Sequence, residues 1–254
     1  MSPTAIGSIV FACTLSGALL GMWLRRALPG HHVEAESKDT IKVGVGLIAT
    51  MTALVLGLVT ASAKSSFDAV DHAIRQTSVE LVVLDRTLAR YGPETAPVRQ
   101  TLKQLLQARI DAIWPSSGGA RPSVEPGHAN VVTGESLAAQ VHALQPQDDM
   151  QRSLKAKALD QIETLLQARW LALAGTEPSV PAPFLAILLF WLTLTFLSFG
   201  LFAPRNGTVV AVLCVCALSI GSAVFLVLEM DSPFGGLLKV SATPMRNALA
   251  QLNQ

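Results

Sequence analysis

Four long apolar stretches alternate with polar segments along the chain. Asp, Glu, Lys and Arg are absent from residues 1–24, 43–63, 178–204 and 206–228. Each stretch has at least 21 residues, and about 20 apolar residues are enough for a helix to cross a bilayer. The pattern predicts four transmembrane helices, at about residues 4–24, 41–63, 184–202 and 208–228.

The second apolar helix is expected to continue past the membrane. After the apolar stretch, large apolar residues recur along the sequence at steps of three, four and seven. This is the spacing of helices that pack together in water. These residues are Phe67, Val70, Ile74, Leu81, Leu84, Leu88 and Tyr91. Gly92 suits a helix C-cap, and Pro93 favours a break before the next helix. One unbroken helix from Ile41 to Tyr91 would be about 75 Å long at 1.5 Å per residue.

The polar insert between the second and third spans also shows helical periodicity. A second helix carries Val98, Leu102, Leu105, Leu106, Ile110 and Ile113 and ends at Trp114-Pro115. Residues 116–134 are rich in Gly, Pro and Ser and read as a loop. A short third helix contains Leu137, Val141 and Leu144, and a fourth opens at Asp148-Asp149. No segment alternates as a strand does, so the fold class is all-α, with a helical-bundle insert.

These elements predict four segments. They are transmembrane spans one and two (1–63), an extramembrane helical insert (64–180), transmembrane spans three and four (181–228) and an amphipathic C-terminal tail (229–254). The tail could lie on the membrane surface or pack against the insert. Packing is favoured, because only Lys239 and Arg246 are available to meet anionic headgroups.

One face of the second span is small and polar. Steps of three and four along it select Gly46, Thr50, Ala53, Gly57, Thr60 and Lys64. The same phase continues through Phe67, Asp71, Ile74, Ser78 and Leu81, so we expect a single protein-facing surface along the whole helix. Two interpretations stay open. The stripe marks close helix packing within one bundle, or it lines a water-filled pore in a symmetric oligomer, with Lys64 concentrating anions at the mouth.

Composition and charge exclude several function classes. Only 15% of the residues are charged, against roughly 25% in soluble domains, and 25 of the 37 charges lie in residues 64–177. A net charge of +1 gives no reason to expect nucleic acid as a partner. All three cysteines lie in apolar stretches, where they act as small hydrophobes. No nucleophile-and-base pair, phosphate loop or zinc spacing is present, so we expect neither catalysis nor a cofactor.

Two polar groups are candidate metal sites. His31 and His32 are followed by three carboxylates, but adjacent histidines rarely bind one ion well, and a hydrated loop is the competing interpretation. Glu229 and Asp231 directly follow the fourth span and could meet a hard cation. Two carboxylates fall well short of the six to eight oxygens that calcium prefers.

The orientation in the membrane stays open. Four spans place both termini and the insert on one side. The loops on the opposite side carry Arg25, Arg26, Lys38, Lys42 and Arg205, which by the positive-inside rule would be cytoplasmic. Basic residues near the span ends on the side of the insert oppose this assignment. They are Lys64, Arg75, Arg169, Lys239 and Arg246.

Several motifs resemble the bacterial family of bestrophin-like membrane proteins. They are the LPGHH run ending at His31 and His32, the stretch at residues 38–64, the LDRTLARYGPE run that contains Asp85, Arg86, Arg90 and Tyr91, the Ile113-Trp114-Pro115 run and the EMDSPFG run from Glu229. The resemblance covers nearly the whole chain. It implies a pentameric anion channel with a narrow neck on the second membrane helix and a cytosolic helical region.

The sequence departs from bestrophins at two places. Bulky apolar residues line bestrophin necks, whereas the stripe here consists of Gly, Ala and Thr. Animal bestrophins carry a dense acidic calcium clasp, whereas only Glu229 and Asp231 remain here, which argues against gating by calcium.

The expected function is therefore a multi-pass protein of the cell inner membrane, in contact with the lipid bilayer, that forms a homo-oligomeric channel for a chloride-like anion. The alternative is a non-conducting scaffold or sensor whose insert binds a partner protein. A stator-like ion-coupled subunit is the least favoured hypothesis, because no carboxylate lies inside a span.

Overall fold

The structure is a computed structural model that describes residues 2–27, 35–115, 128–174, 181–204 and 206–252. These residues form α-helices and one short 3-10 helix, Pro93–Thr95, and contain no strand. The helices are α1 (Pro3–Ala27), α2 (Ala35–Tyr91), α3 (Ala96–Ile113), α4 (His128–His142), α5 (Asp149–Ala174), α6 (Ala182–Phe202), α7 (Gly207–Met230) and α8 (Thr243–Gln251). Four of them, α1, α2, α6 and α7, are long and apolar enough to span a membrane. The all-α prediction with four such helices is confirmed.

The first of two compact units comprises residues 1–66 and 178–232. It contains α1, the apolar part of α2, α6 and α7. Its buried apolar side chains form small clusters between the helices, with Val10, Ala18, Leu188, Leu192, Phe196, Leu213, Ala217 and Val224 at their centres. Helix α1 packs along α6 and α7.

Small residues bring α1 and α6 into close contact. A methyl group on Gly17 would lie 2.9 Å from the carbonyl oxygen of Thr193. A methyl group on Gly21 would overlap the backbone at Leu197, and one on Gly200 would overlap the backbone at Ala18. Apolar burial gives little driving force in lipid, so small residues that let two backbones approach are a main source of helix association there.

The second unit comprises residues 67–177 and 233–254. Its core joins α2, α3, α4, α5 and the tail in one cluster of buried side chains. The largest contributors are Leu84, Leu88, Leu102, Leu106, Ile110, Val141, Ile162, Met245 and Leu252. In water this burial provides the driving force for packing, at about 25 cal/mol per Å² of apolar surface.

The C-terminal tail packs against the helical insert, as its low positive charge suggested. Met245 and Leu252 are buried in the shared core. The indole nitrogen of Trp114 donates a hydrogen bond of 2.9 Å to the carbonyl oxygen of Val240. The Trp114 ring also meets Phe234 edge-on, with 5.9 Å between the ring centroids.

Helix α2 ends where the sequence predicts. Gly92 has φ +142° and ψ 177°, a backbone conformation that is essentially restricted to glycine. Pro93 then opens the 3-10 helix. The Thr95 hydroxyl donates to the carbonyl oxygen of Leu88 at 2.6 Å and thereby satisfies one of the last acceptors of α2.

Two predicted boundaries are wrong. The loop expected over residues 116–134 is too long, because α4 already begins at His128. Within that segment Gly and Pro occur at residues 118–127 and at Gly134, whereas residues 128–133 contain neither. The start of α2 lies at Ala35 rather than Ile41, since the polar residues before the apolar stretch also favour a helix.

Candidate functional site

Within the first unit, one face of α2 packs against the other helices. Ala63 is fully buried in a cluster with Val227, and Val59 packs beside it. Val55 and Leu56 pack against the cluster that contains Leu188. This inner face anchors α2 and determines which of its other faces remain accessible.

The small and polar stripe lies away from that inner face. All six of its residues are exposed in the single chain, namely Gly46, Thr50, Ala53, Gly57, Thr60 and Lys64. A methyl group on Gly46 or Gly57 would meet no atom of another element within 4 Å. These two glycines therefore do not mediate close packing inside the chain, which was one of the two interpretations of the stripe.

The two threonines of the stripe use their hydroxyl protons on their own helix. Thr50 Oγ1 donates to the carbonyl oxygen of Leu47 at 2.8 Å, and Thr60 Oγ1 donates to that of Leu56 at 2.7 Å. Each hydroxyl oxygen keeps lone pairs that can accept a hydrogen bond from water. The stripe thus offers hydrogen-bond acceptors, and Lys64 provides its positive charge.

A second exposed face of α2, the apolar ridge, runs beside the stripe. It consists of Val43, Leu47, Met51, Leu54 and Leu58, which are 50–76% exposed. At 100° per residue, the ridge and the stripe are centred roughly a quarter turn apart. An apolar surface of this kind can contact lipid chains or another protein chain. The stripe, in contrast, can contact water or the backbone of a closely packed helix.

The predicted single face along α2 does not hold within the chain. Ile74, Leu84 and Leu88 are buried in the core of the second unit, while the stripe is exposed. Six heptads separate Gly46 from Leu88. An α-helix drifts about 20° per heptad relative to a 3.5-residue repeat, so the two sets lie on faces about 120° apart.

Among the residues of the family motifs, Asp85 has a structural role. It is 1% exposed, and both of its carboxylate oxygens accept hydrogen bonds from Arg99. Arg99 Nε donates to Oδ1 at 2.8 Å, and Arg99 Nη2 donates to Oδ2 at 2.8 Å. These hydrogen bonds raise the pKa of the Arg99 guanidinium. The pair ties α2 to α3, while Arg86 and Arg90 lie exposed on α2.

Sequence reasoning did not single out Arg99. The available signal was the position of Asp85 next to the apolar residues of the heptad seam, where a carboxylate requires a charged partner. Several arginines of the insert could have been that partner, and periodicity alone does not choose between them.

Tyr91 closes α2 with a buried hydroxyl. Its side chain is 4% exposed, and its Oη makes no hydrogen bond within the described part of the chain. Burial raises the pKa of the phenol, and the nearby carboxylates of Glu94 and Asp148 raise it further. The Tyr91 carbonyl oxygen accepts a hydrogen bond of 3.0 Å from Gln151 on α5.

Of the candidate metal ligands, the structure describes Glu229 and Asp231. His31 and His32 lie outside the described residues. Glu229 is buried at the end of α7, and Asp231 follows as its C-cap. Across residues 35–115, 128–174, 181–204 and 206–252, as across 2–27, no group of three or more His, Cys, Asp or Glu side chains could hold a metal ion.

Comparison with known proteins identifies what the chain resembles. The model of the Bestrophin-like domain matches residues 12–245, whereas no curated protein matches the sequence. A variant of a bacterial bestrophin homologue from Klebsiella pneumoniae superposes with a TM-score of 0.70 at 14% identity, covering 100% of this chain and 99% of that chain. A structure of a Klebsiella pneumoniae bestrophin homologue phased with zinc gives 0.65 at 15% identity, covering 97% and 98%. The family match confirms the resemblance drawn from the sequence motifs, and the superpositions show the fold.

Proposed function

Because the chain belongs to the bestrophin-like family, we propose that this membrane protein is an anion channel, a homo-oligomeric ring in the bacterial inner membrane with α2 lining the pore. The observation that carries the proposal is the exposure of the stripe from Gly46 to Lys64. Its glycines pack against no other element of the chain. In the oligomer the stripe faces the central axis.

The two exposed faces of α2 suit a ring. A ring requires a heterologous contact, in which each subunit uses two different surfaces. The apolar ridge provides one such surface and packs against the neighbouring subunit. The stripe is then left beside the axis, where its small side chains keep the path open and its hydroxyl oxygens contact water.

The charge distribution suits passive anion permeation. Residues 43–63 carry only apolar and hydroxyl side chains besides glycine and contain no Asp, Glu, His, Lys or Arg, so this part of α2 offers no proton relay. Each subunit places one Lys64 at the end of the stripe. A ring of lysines raises the local concentration of anions at the pore mouth. The function involves no chemical step and requires no cofactor.

Thiol accessibility tests the pore assignment. In a variant lacking Cys13, Cys214 and Cys216, single cysteines are placed at Thr50 or Thr60, and a water-soluble anionic thiol reagent is added during chloride flux from liposomes. We expect the reagent to reduce flux by at least about tenfold at both positions, because it would add bulk and negative charge to the path of the anion.

Cysteines at Leu47 and Leu58 on the apolar ridge are the matched controls, since they lie on the same helix at similar depth. Flux through these variants is expected to stay within about twofold of the untreated value, because lipid or protein shields the ridge from an anionic reagent. Modification that blocks flux from the ridge but not from Thr50 and Thr60 would place the ridge at the axis and contradict the proposal.

The charge of Lys64 gives a second test. Lys64→Glu reverses the charge of the ring, so the preference for chloride over potassium should fall by about fivefold or more, as expected when one charge per subunit changes sign at the mouth. Lys157→Glu, on the exposed surface of α5, is the control for net charge. An unchanged reversal potential in Lys64→Glu would remove Lys64 from the selectivity mechanism.

The alternative function is a non-conducting scaffold or sensor that binds a partner protein through the insert. It is favoured by large apolar side chains that the second unit exposes, namely Val79 at 63%, Met150 at 70% and Trp170 at 57%. It predicts that the full chain in liposomes conducts no anion and that Val79→Asp releases a partner co-purified from native membranes. Flux that depends on Thr50 and Thr60 would decide for the channel.

A further inference from the structure

The first unit contains an apolar groove at the end where α6 stops and α7 starts. The groove has a volume of about 530 Å³ and lies between α2, α6 and α7. Most of its wall is apolar, including Val45, Ala49, Phe199, Phe202, Val212 and Leu213, and Gly46 at the end of the stripe lies at its border. Ligand pockets typically measure about 300–1,000 Å³, so a chain-like apolar ligand fits this space.

Lys42 lines this groove, and Arg25 contacts one of its lining residues. Among the described residues that line it, Lys42 is the charged one. Arg25, at the end of α1, donates a hydrogen bond to the carbonyl oxygen of Ala203, which itself lines the groove. Both residues lie where the membrane helices meet the polar interface, since α1 ends and α2 begins there.

The existing ion pair of Lys42 leaves its ammonium group accessible. Lys42 Nζ lies 3.2 Å from Asp39 Oδ1, and the two side chains are 58% and 73% exposed. An exposed pair of this kind contributes little, about 0–1 kcal/mol. A phosphate at the same interface can therefore bind Lys42 and replace Asp39 as its partner, with little loss of free energy.

We infer that the groove binds an anionic phospholipid, with an acyl chain along the apolar wall and the phosphate at Lys42 and Arg25. Basic pockets between transmembrane helices recognise anionic headgroups because the cations meet the phosphate at the depth where the acyl chains begin. A phosphatidylcholine headgroup carries a compensating positive charge and gains less from the two cations. The inference concerns lipid binding only and does not rest on the channel function.

A second cavity in the same unit provides an internal control. It measures about 610 Å³, lies between α1 and α6, and is lined by residues that include Cys13, Leu20, Ala186, Phe190 and Leu197. None of the described residues that line it is charged. This cavity can hold an acyl chain, but it has no means of selecting a headgroup.

Native mass spectrometry of the full chain in detergent tests the inference, with phosphatidylglycerol and phosphatidylcholine of identical acyl chains added in equal amounts. We expect phosphatidylglycerol to be retained preferentially, by roughly fivefold for each cation, which corresponds to the attraction of one Lys or Arg to an anionic surface. The double substitution Lys42→Gln and Arg25→Gln should abolish the preference. Ala49→Trp should displace the lipid by filling the groove, whereas Ala186→Trp in the second cavity should leave the preference unchanged.

Three results would overturn the inference. Equal retention of both lipids by the unmodified protein would remove the headgroup preference. Competition by glycerol phosphate as strong as that by phosphatidylglycerol would indicate a site for free phosphate. Oxidative cross-linking of two copies through a cysteine at Ala49, with no lipid retained, would show that a second copy fills the groove. The Lys42 and Arg25 substitutions change only surface side chains, so they test the inference even if Ala49→Trp does not fold.

Discussion

Helices α1 and α2 both carry small residues on one face, yet the two faces have opposite environments. Gly17 and Gly21 of α1 lie directly against the backbone of α6, whereas Gly46 and Gly57 of α2 meet no other element. Small-residue patterns in membrane helices usually mark close packing. The comparison shows that such a pattern identifies a helix face that permits a close neighbour. The fold then determines whether another helix occupies that face or leaves it exposed.

The two parts of α2 differ in the same way. In the second unit the helix buries large residues such as Leu84 and Leu88 and exposes residues such as Arg86. In the first unit it exposes large residues such as Leu54. Water drives apolar side chains into a core, whereas lipid is as apolar as leucine and exerts no such force.

The largest expected effect separates the buried glycines from the exposed ones. Gly200→Leu should destabilise the protein by about 3 kcal/mol or more, because overpacking at a rigid backbone contact is costly. Gly57→Leu should change stability by no more than about 0.5 kcal/mol, as for other exposed positions. Thermal unfolding in detergent, followed by circular dichroism, measures both. Equal losses for the two variants would remove the distinction between the contact of α1 with α6 and the exposed face of α2.

A smaller effect should appear in the buried part of α2, at the ion pair of Asp85 and Arg99. Arg99→Ala removes two hydrogen bonds from the buried carboxylate of Asp85 and should cost about 3 kcal/mol. Asp85→Ala leaves Arg99, which is 17% exposed and can reach water, so the loss should be nearer 1 kcal/mol. The double variant should be non-additive in the same unfolding assay. Equal costs for the two single variants would contradict the assigned difference in burial.

The smallest effect concerns Tyr91, at the buried end of α2. Tyr91→Phe removes a buried hydroxyl that makes no hydrogen bond within the described chain and should stabilise the protein by about 1 kcal/mol.

The pH dependence of this variant follows from the raised pKa of Tyr91. The unfolded chain loses the phenol proton near pH 10, before the folded chain does. The contribution of the neutral phenol is therefore complete below about pH 10 and is lost as the pH rises through the folded-state pKa. Unfolding temperatures from about pH 8 to pH 11 should fall less steeply for Tyr91→Phe than for the unmodified protein. Parallel curves would show that Tyr91 does not titrate differently on folding.

The sequence by itself determined the helical class, the four membrane-spanning helices and the end of α2. Charge-free stretches of 21 or more residues are explained only by a membrane interior, and Gly92-Pro93 is a local signal that needs no tertiary contact. The motifs also identified the family. These features depend on the composition and order of neighbouring residues, which are all present in the sequence.

Only the tertiary structure decided which surfaces meet. It paired Asp85 with Arg99, brought Gly17 and Gly21 against α6, and left the stripe of α2 exposed. Periodicity defines the faces of a helix but not their neighbours, and a drift of about 20° per heptad separates faces that appear continuous in a list of residues. Contacts between residues far apart in the chain depend on the packing of all the helices together, and that packing is a property of the folded chain.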